Sequence, residues 1–145
     1  MLLSFHSLAG VVIATEIPNP LIAWPVALLS HFVLDSLPHW DFFFEGVNLS
    51  RKVRLAILGD FLIGLLVGLF FIFRVQANAF NIIGACFFAN FPDGLSAVYL
   101  FYGWKPWLVN LNLKIQSKLN FKSPLPWGMV VPFLLAVGSL YVLLR

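Results

Sequence analysis

The sequence predicts an all-α integral membrane protein: a bundle of about five transmembrane helices with a short amphipathic helix in the interface. Three observations carry this. Of the 145 residues, 61% are hydrophobic and 10% charged, whereas soluble domains run near about a quarter charged. The mean hydropathy is +0.93. The apolar residues are gathered into runs, most of them long enough to cross a hydrocarbon core of about 30 Å, which takes roughly 17–25 residues. Prolines, lysines and arginines fall mainly between the runs. The whole chain, 1–145, reads as one membrane-embedded domain.

The first run covers residues 1–16 and ends at "EIPNP", where two prolines break it. It lacks the basic start of a secretory signal and reads as the first membrane segment. The second covers 20–37 and stops at Pro38, because a residue before proline is pushed out of helical geometry. The third covers 52–73, the fourth 79–102 and the fifth 127–144. The first two are short enough to be tilted or partly re-entrant. Between the fourth and fifth, Leu108, Leu111, Ile115 and Leu119 recur at helical spacing, with Lys114, Lys118 and the asparagines off that stripe. This predicts an interfacial amphipathic helix, with Trp104, Trp107 and Trp127 as headgroup anchors.

Arg51, Lys52, Arg54, Lys105, Lys114, Lys118 and Lys122 fall on one face of such a bundle, Arg74 and Arg145 on the other. The positive-inside rule then sets the N-terminus in the cytoplasm and the C-terminus outside. Orientation accounts for the net charge of +3, so no nucleic-acid partner is inferred. Membrane lipids are the expected surroundings. One cysteine, Cys86, excludes an internal disulfide and a Cys-rich zinc ribbon, and it reads as a small packing residue.

The ionisable residues outside the basic loops are concentrated. "SHFVLDSLPHWD" places His31, Asp35, His39 and Asp41 close together. His31 and Asp35 are i and i+4, on one helix face. His6 lies in the first segment, Asp60 in the third and Asp93 in the fourth. At 1.5 Å per residue, His6, His31, Asp35, Asp60 and Asp93 fall within roughly 3–14 Å of the same membrane face. A carboxylate at such depth costs on the order of 2.5–3.5 kcal/mol unless paired or neutral. Asp60, Gly64 and Gly68 share a face suited to close helix contact, so Asp60 points at a neighbouring helix. In "ANFPDG", Pro92 and Gly94 flank Asp93 and predict a broken helix.

Histidines and aspartates in one layer suit Zn²⁺, with Mn²⁺ or Fe²⁺ also compatible, as one ion or two. The candidate ligands are His6, His31, Asp35, His39, Asp60 and Asp93. Metal-activated water would be the nucleophile, with Asp35 or Asp41 as general base. Read singly, each residue has a plainer role. His6 would be an interface histidine, Asp41 and Glu45 loop charges, Glu16 a helix-end charge, and His31 with Asp35 a structural hydrogen bond. The agreement in depth is what favours a site.

"FHSLAG", "HFVLDSLPHWD", the "GD" of the third segment and "FPDG" together resemble the YdjM-like membrane-bound metal-dependent hydrolases, a family of small multi-spanning bacterial and archaeal proteins. The resemblance covers residues 1–95. It implies a hydrolase in the cytoplasmic membrane of a prokaryote, with His6, His31, Asp35, His39, Asp60 and Asp93 as ligands. The "HxxxD" block followed by histidine is also similar to zinc-dependent phospholipase C, whose members use more histidines than the three here. A phosphoester or lipid-like substrate at the cytoplasmic leaflet is the resulting expectation. Two other classes fit the polar layer: an ion, proton-coupled or metal transporter using Asp60 and Asp93, and a non-catalytic membrane scaffold. No ionisable residue lies in the outer half of segments three to five, which disfavours a transport path.

Overall fold

A computed structural model describes residues 1–42, 50–75 and 77–145, so Glu45 lies outside the described residues. Six α-helices follow one another: α1 (Leu3–Glu16), α2 (Pro20–Asp35), α3 (Arg51–Arg74), α4 (Ala79–Tyr102), α5 (Trp107–Leu119) and α6 (Val130–Leu144), the last preceded by a 3-10 turn at Trp127–Met129. Their starts follow capping chemistry. The side chains of Asn19, Ser50 and Asn78 accept the backbone N–H of Leu21, Val53 and Phe80, each satisfying a donor the first helical turn leaves open. Gly103, at φ 67°, ends α4 in the left-handed conformation that glycine adopts without a Cβ penalty.

Among the described residues, three helices are long and apolar enough to cross a membrane: α3, α4 and the stretch Trp127–Leu144. Helices α1 and α2 are apolar but have 14 and 16 residues, about 21–24 Å of helix against a core of about 30 Å. The five expected segments thus resolve into three of spanning length and two shorter ones.

The short α1 is the centre of the bundle and packs on α2, α3, α4 and α6. Its apolar residues have no single preferred face because partners surround it. Small residues allow the approach. A Cβ on Gly10 would stand 2.9 Å from the backbone of Ala85 and Cys86 in α4. One on Gly64 of α3 would stand 2.7 Å from Ser7 Oγ. Val11, Ala14, Ala27, Ile82, Ala85 and Ala89 form the buried core. The outer side of α3, with Leu62, Leu66, Phe70 and Phe73, is exposed, which suits lipid contact.

Both ends of α1 are closed by side chains from neighbouring helices. Asn81 Nδ2 donates to the carbonyls of Ala14 and Ile17 at 3.0 and 2.9 Å. At the other end, Asp60 of α3 accepts from the backbone N–H groups of Leu3 and Ser4 at 2.6 and 3.3 Å, and from the Ser4 hydroxyl. A helix too short to reach water at both faces needs such partners, since its terminal N–H and C=O groups are otherwise unsatisfied.

The amphipathic helix α5 is present, with its leucine stripe turned outward. Its buried residues are Val109 and Asn112, and Leu108, Leu111 and Leu119 are exposed. The polar side faces the bundle because α4 offers it hydrogen-bond partners. Asn112 Nδ2 donates to the Pro92 carbonyl at 2.8 Å and to Ser96 Oγ at 3.0 Å. In an apolar surround, the leucines are the residues that tolerate the outside.

The α1–α4 contact generates a test. Gly10→Val forces a branched side chain against the α4 backbone and should destabilise the bundle by about 1–3 kcal/mol. Gly59→Val, where an added Cβ meets nothing within 4 Å, should leave the melting temperature in detergent nearly unchanged.

Candidate metal centre

Four elements bring the polar residues together. His6 lies in the first turns of α1, His31 and Asp35 in the last turns of α2, and Asp93 in α4. His39 follows Pro38 and is pinned by backbone pairing with the segment after α5. His39 N donates to Phe121 O at 3.1 Å, and Ser123 N donates to His39 O at 2.7 Å. Phe121 N also donates to Asp35 O at 2.8 Å. The turn that Pro38 imposes is thereby locked, and His39 Nε2 faces the end of α2.

Asp35 is the hub. Its Oδ1 stands 3.2 Å from His6 Nε2 and 3.8 Å from His39 Nε2, and its Oδ2 stands 3.4 Å from His31 Nε2. Asp93 approaches from the other side: Oδ1 is 3.7 Å from His31 Nε2, and Oδ2 is 4.0 Å from His6 Nε2. The ligand atoms of His6, His31 and Asp93 all lie within 4.8 Å of one another. His6, His31, His39 and Asp35 are fully or almost fully buried. The His6 and His31 rings stack at 4.2 Å. The Met1 amine and Asn120 Nδ2 also donate to Asp35.

The tautomers follow from the hydrogen bonds. His31 Nδ1 meets the Ala89 carbonyl at 2.8 Å, and His39 Nδ1 meets the Leu37 carbonyl at 2.8 Å. A carbonyl only accepts, so each Nδ1 carries the proton. Gln116 Nε2 lies 3.1 Å from His31 Nε2 and 3.2 Å from Asp93 Oδ1. The Gln116 oxygen is taken by Ser96 Oγ at 2.7 Å, which turns its amide nitrogen toward His31 as a donor. His31 Nε2 therefore presents a lone pair. Among the described residues, His6 Nδ1 and His39 Nε2 are buried without a hydrogen-bond partner, and Asp35 Oδ1 at 3.2 Å is the polar atom facing His6 Nε2.

The result is a compact set of potential ligands with donors at its edge, the Met1 ammonium and Asn120 on Asp35 and Gln116 on His31 and Asp93. Imidazole nitrogens and carboxylate oxygens converge at 3.2–4.0 Å. Those separations exceed a charge-assisted hydrogen bond of about 2.7–2.9 Å. They lie at or somewhat above the roughly 3.3–3.5 Å that separates neighbouring ligands at about 2.0–2.2 Å around a tetrahedral zinc. Two of the histidines are also oriented by carbonyls through the opposite ring nitrogen, as metal-ligating histidines are. The donor set fits a divalent cation.

The remaining expected residues divide. Asp41 sits at the edge, with Oδ2 3.8 Å from His39 Nε2 and Oδ1 3.2 Å from Lys122 Nζ. Asp60 is not gathered into the cluster, since its oxygens close the start of α1. The broken helix expected at Pro92 is corrected: α4 runs unbroken from Ala79 to Tyr102. Proline removes the one N–H that would bond the Phe88 carbonyl, and the carbonyls of Ala89 and Pro92 accept from the side chains of His31 and Asn112. Gln116 and Asn120 were missed by sequence reasoning. The signal available was their spacing with Asn112 at i, i+4 and i+8 on a helix otherwise flanked by leucines.

Comparison with protein-family models, with curated proteins and with solved structures finds no match in any of the three.

Asp60 is expected to act on stability. Asp60→Ala removes a charged acceptor from three donors, and each hydrogen bond to a charged group contributes about 1.5–3 kcal/mol. The melting temperature should fall clearly, and Asp60→Asn should recover part of the loss because its carbonyl still accepts.

Proposed function

We propose that the protein is a membrane-bound metal-dependent hydrolase acting on a phosphoester or lipid-like substrate. The observation that carries this reading is the gathering of His6, His31 and Asp93, whose ligand atoms lie within 4.8 Å of one another, beside the buried Asp35. Imidazoles and carboxylates brought this close in an apolar interior suit a divalent cation. His6, His31, Asp35 and Asp93 would hold the ion, and His39 would complete the set or serve a second ion. Zinc suits these ligands best, with manganese or iron as the other fits. Such an ion supplies Lewis-acid polarisation of a phosphoryl oxygen and lowers the pKa of water.

The chain's own residues divide the remaining work. Asp35, buried at the centre of three imidazoles, suits the role of ligand better than that of base. Asp41 lines the adjoining cavity and is the better candidate to take a proton from attacking water. Lys122 holds Asp41 in place and can contact an anionic substrate. Gln116 and Asn120 orient His31, Asp93 and Asp35 from α5. The reading agrees with the resemblance to YdjM-like hydrolases. In the same reading, α1 and α2 complete a five-segment bundle in a prokaryotic cytoplasmic membrane. The N-terminus and the site lie on the cytoplasmic side and the C-terminus outside, following the lysine and arginine distribution. A carrier path through Asp60 and Asp93 has less support, because Asp60 is committed to the start of α1.

The protein purified in mild detergent without chelator should carry about one or two equivalents of zinc, manganese or iron by mass spectrometry. The metal should be lost in the His31→Ala, Asp35→Ala double variant while the helical circular-dichroism signal persists. A wild-type chain that takes up no metal even after zinc reconstitution would sink the reading. Asp41→Asn should keep the metal and lower kcat on a phosphoester by about a hundredfold or more, the scale of general-base catalysis.

A further inference from the structure

Two cavities adjoin one another on the Asp93 side of the cluster. The first, about 590 Å³, is lined on its polar side by Asp41, Asp93, Gln116, Asn120, Arg54 and Lys122. The second, about 540 Å³, runs between α3 and α4 and is lined by Gly64, Gly68, Leu69, Ile72, Ile83 and Phe87. Phe61, Asn90 and Gly94 line both. The two therefore adjoin along one groove, with the titratable side chains at one end and an almost wholly apolar lining at the other.

The dimensions and chemistry of this groove match one occupant. From Phe61 to Ile72 it follows about 16 Å of α3 at 1.5 Å per residue. One leaflet of hydrocarbon is about 15 Å deep, half of a core of about 30 Å. Its floor uses glycine where a side chain would fill it, since a Cβ on Gly68 would reach only Cys86 Sγ, at 3.7 Å. At the junction, a Cβ on Gly94 would meet nothing within 4 Å. The polar end carries Arg54 and Lys122 among Asp41, Asp60 and Asp93, and the divalent cation that the hydrolase reading places in the cluster supplies the positive charge that draws an anionic head. A water-soluble ester would use only the first cavity.

We infer that the substrate is a bilayer amphiphile, its phosphate headgroup at the His/Asp cluster beside Arg54 and Lys122, and one acyl chain lying in the α3–α4 groove. The inference rests on the hydrolase reading for its chemistry, but the groove is tested separately. The substrate enters sideways from the leaflet, so its phosphate reaches the buried ligands without leaving the membrane.

The probe is phosphatidic acid with a diazirine midway along one acyl chain, diluted into phosphatidylcholine vesicles holding the full chain. After irradiation, adducts mapped by mass spectrometry should concentrate on Gly68–Ile72 and Ile83–Phe87. Unlabelled phosphatidic acid should compete them away, and inorganic phosphate should not. Gly94→Leu should plug the junction and reduce these adducts several-fold, with Gly68→Leu doing the same from within the groove. Adducts spread evenly over the outer faces of α3 and α6, or unchanged in both variants, would overturn the inference. Metal content of the same samples separates the two readings. Metal with evenly spread adducts leaves a hydrolase of soluble esters and removes the lipid site. Groove adducts without metal support the lipid site and remove the hydrolase.

Discussion

The organisation of this protein depends on one constraint: imidazoles and carboxylates gathered in an apolar interior must be held by fixed partners. His31 and His39 give their Nδ1 protons to backbone carbonyls, which leaves Nε2 to meet the carboxylates of Asp35, Asp93 and Asp41. In a low dielectric such groups are costly unless donors or positive charge reach them, and the Met1 ammonium reaches Asp35 while Gln116 reaches His31 and Asp93. Everything near it can be read as support for holding those acceptors in place. The pairing of His39 with Phe121 and Ser123 locks the turn after Pro38. The Gln116–Ser96–Asn112 chain fixes α5 against α4.

The same logic explains the short central helix. α1 brings His6 to the cluster within its first turns, and a helix that starts there must end its N–H groups inside the bundle. Asp60 answers that need. One apolar environment thus puts two kinds of cost on neighbouring carboxylates. Asp35 is balanced by the Met1 ammonium, Asp93 by the Gln116 amide, and Asp60 by the backbone donors of α1. Identical side chains at similar depth have different work because different donors reach them.

Reading the site as the head of a continuous groove connects the packing to the chemistry. Glycines on α3 draw α1 close at Gly64, yet leave space beside α4 at Gly68. α3 can therefore bury its Asp60 stripe against α1 and still stand apart from α4 along one apolar channel. The leucines of α5 face outward for the reason its amides face inward, since the amides find donors and acceptors only on the bundle side.

Much of this was legible in the sequence. Apolar runs bounded by proline and basic residues determine the helices, because backbone groups in lipid must satisfy one another and only helices do so locally. The i, i+4 spacing of His31 and Asp35, and the common depth of His6, Asp35, Asp60 and Asp93, determine a polar layer at one end. Tertiary structure decided the rest. Depth alone does not say which carboxylate meets an imidazole and which meets a helix end, so Asp60 was separable from Asp93 only once α1 was seen to begin beside it. Nor does periodicity say which side of an amphipathic helix faces inward when the outside is also apolar. The leucine stripe of α5 marked a face correctly, and the hydrogen-bonding partners on α4 determined that the opposite face, with Asn112 and Gln116, was the one to be buried.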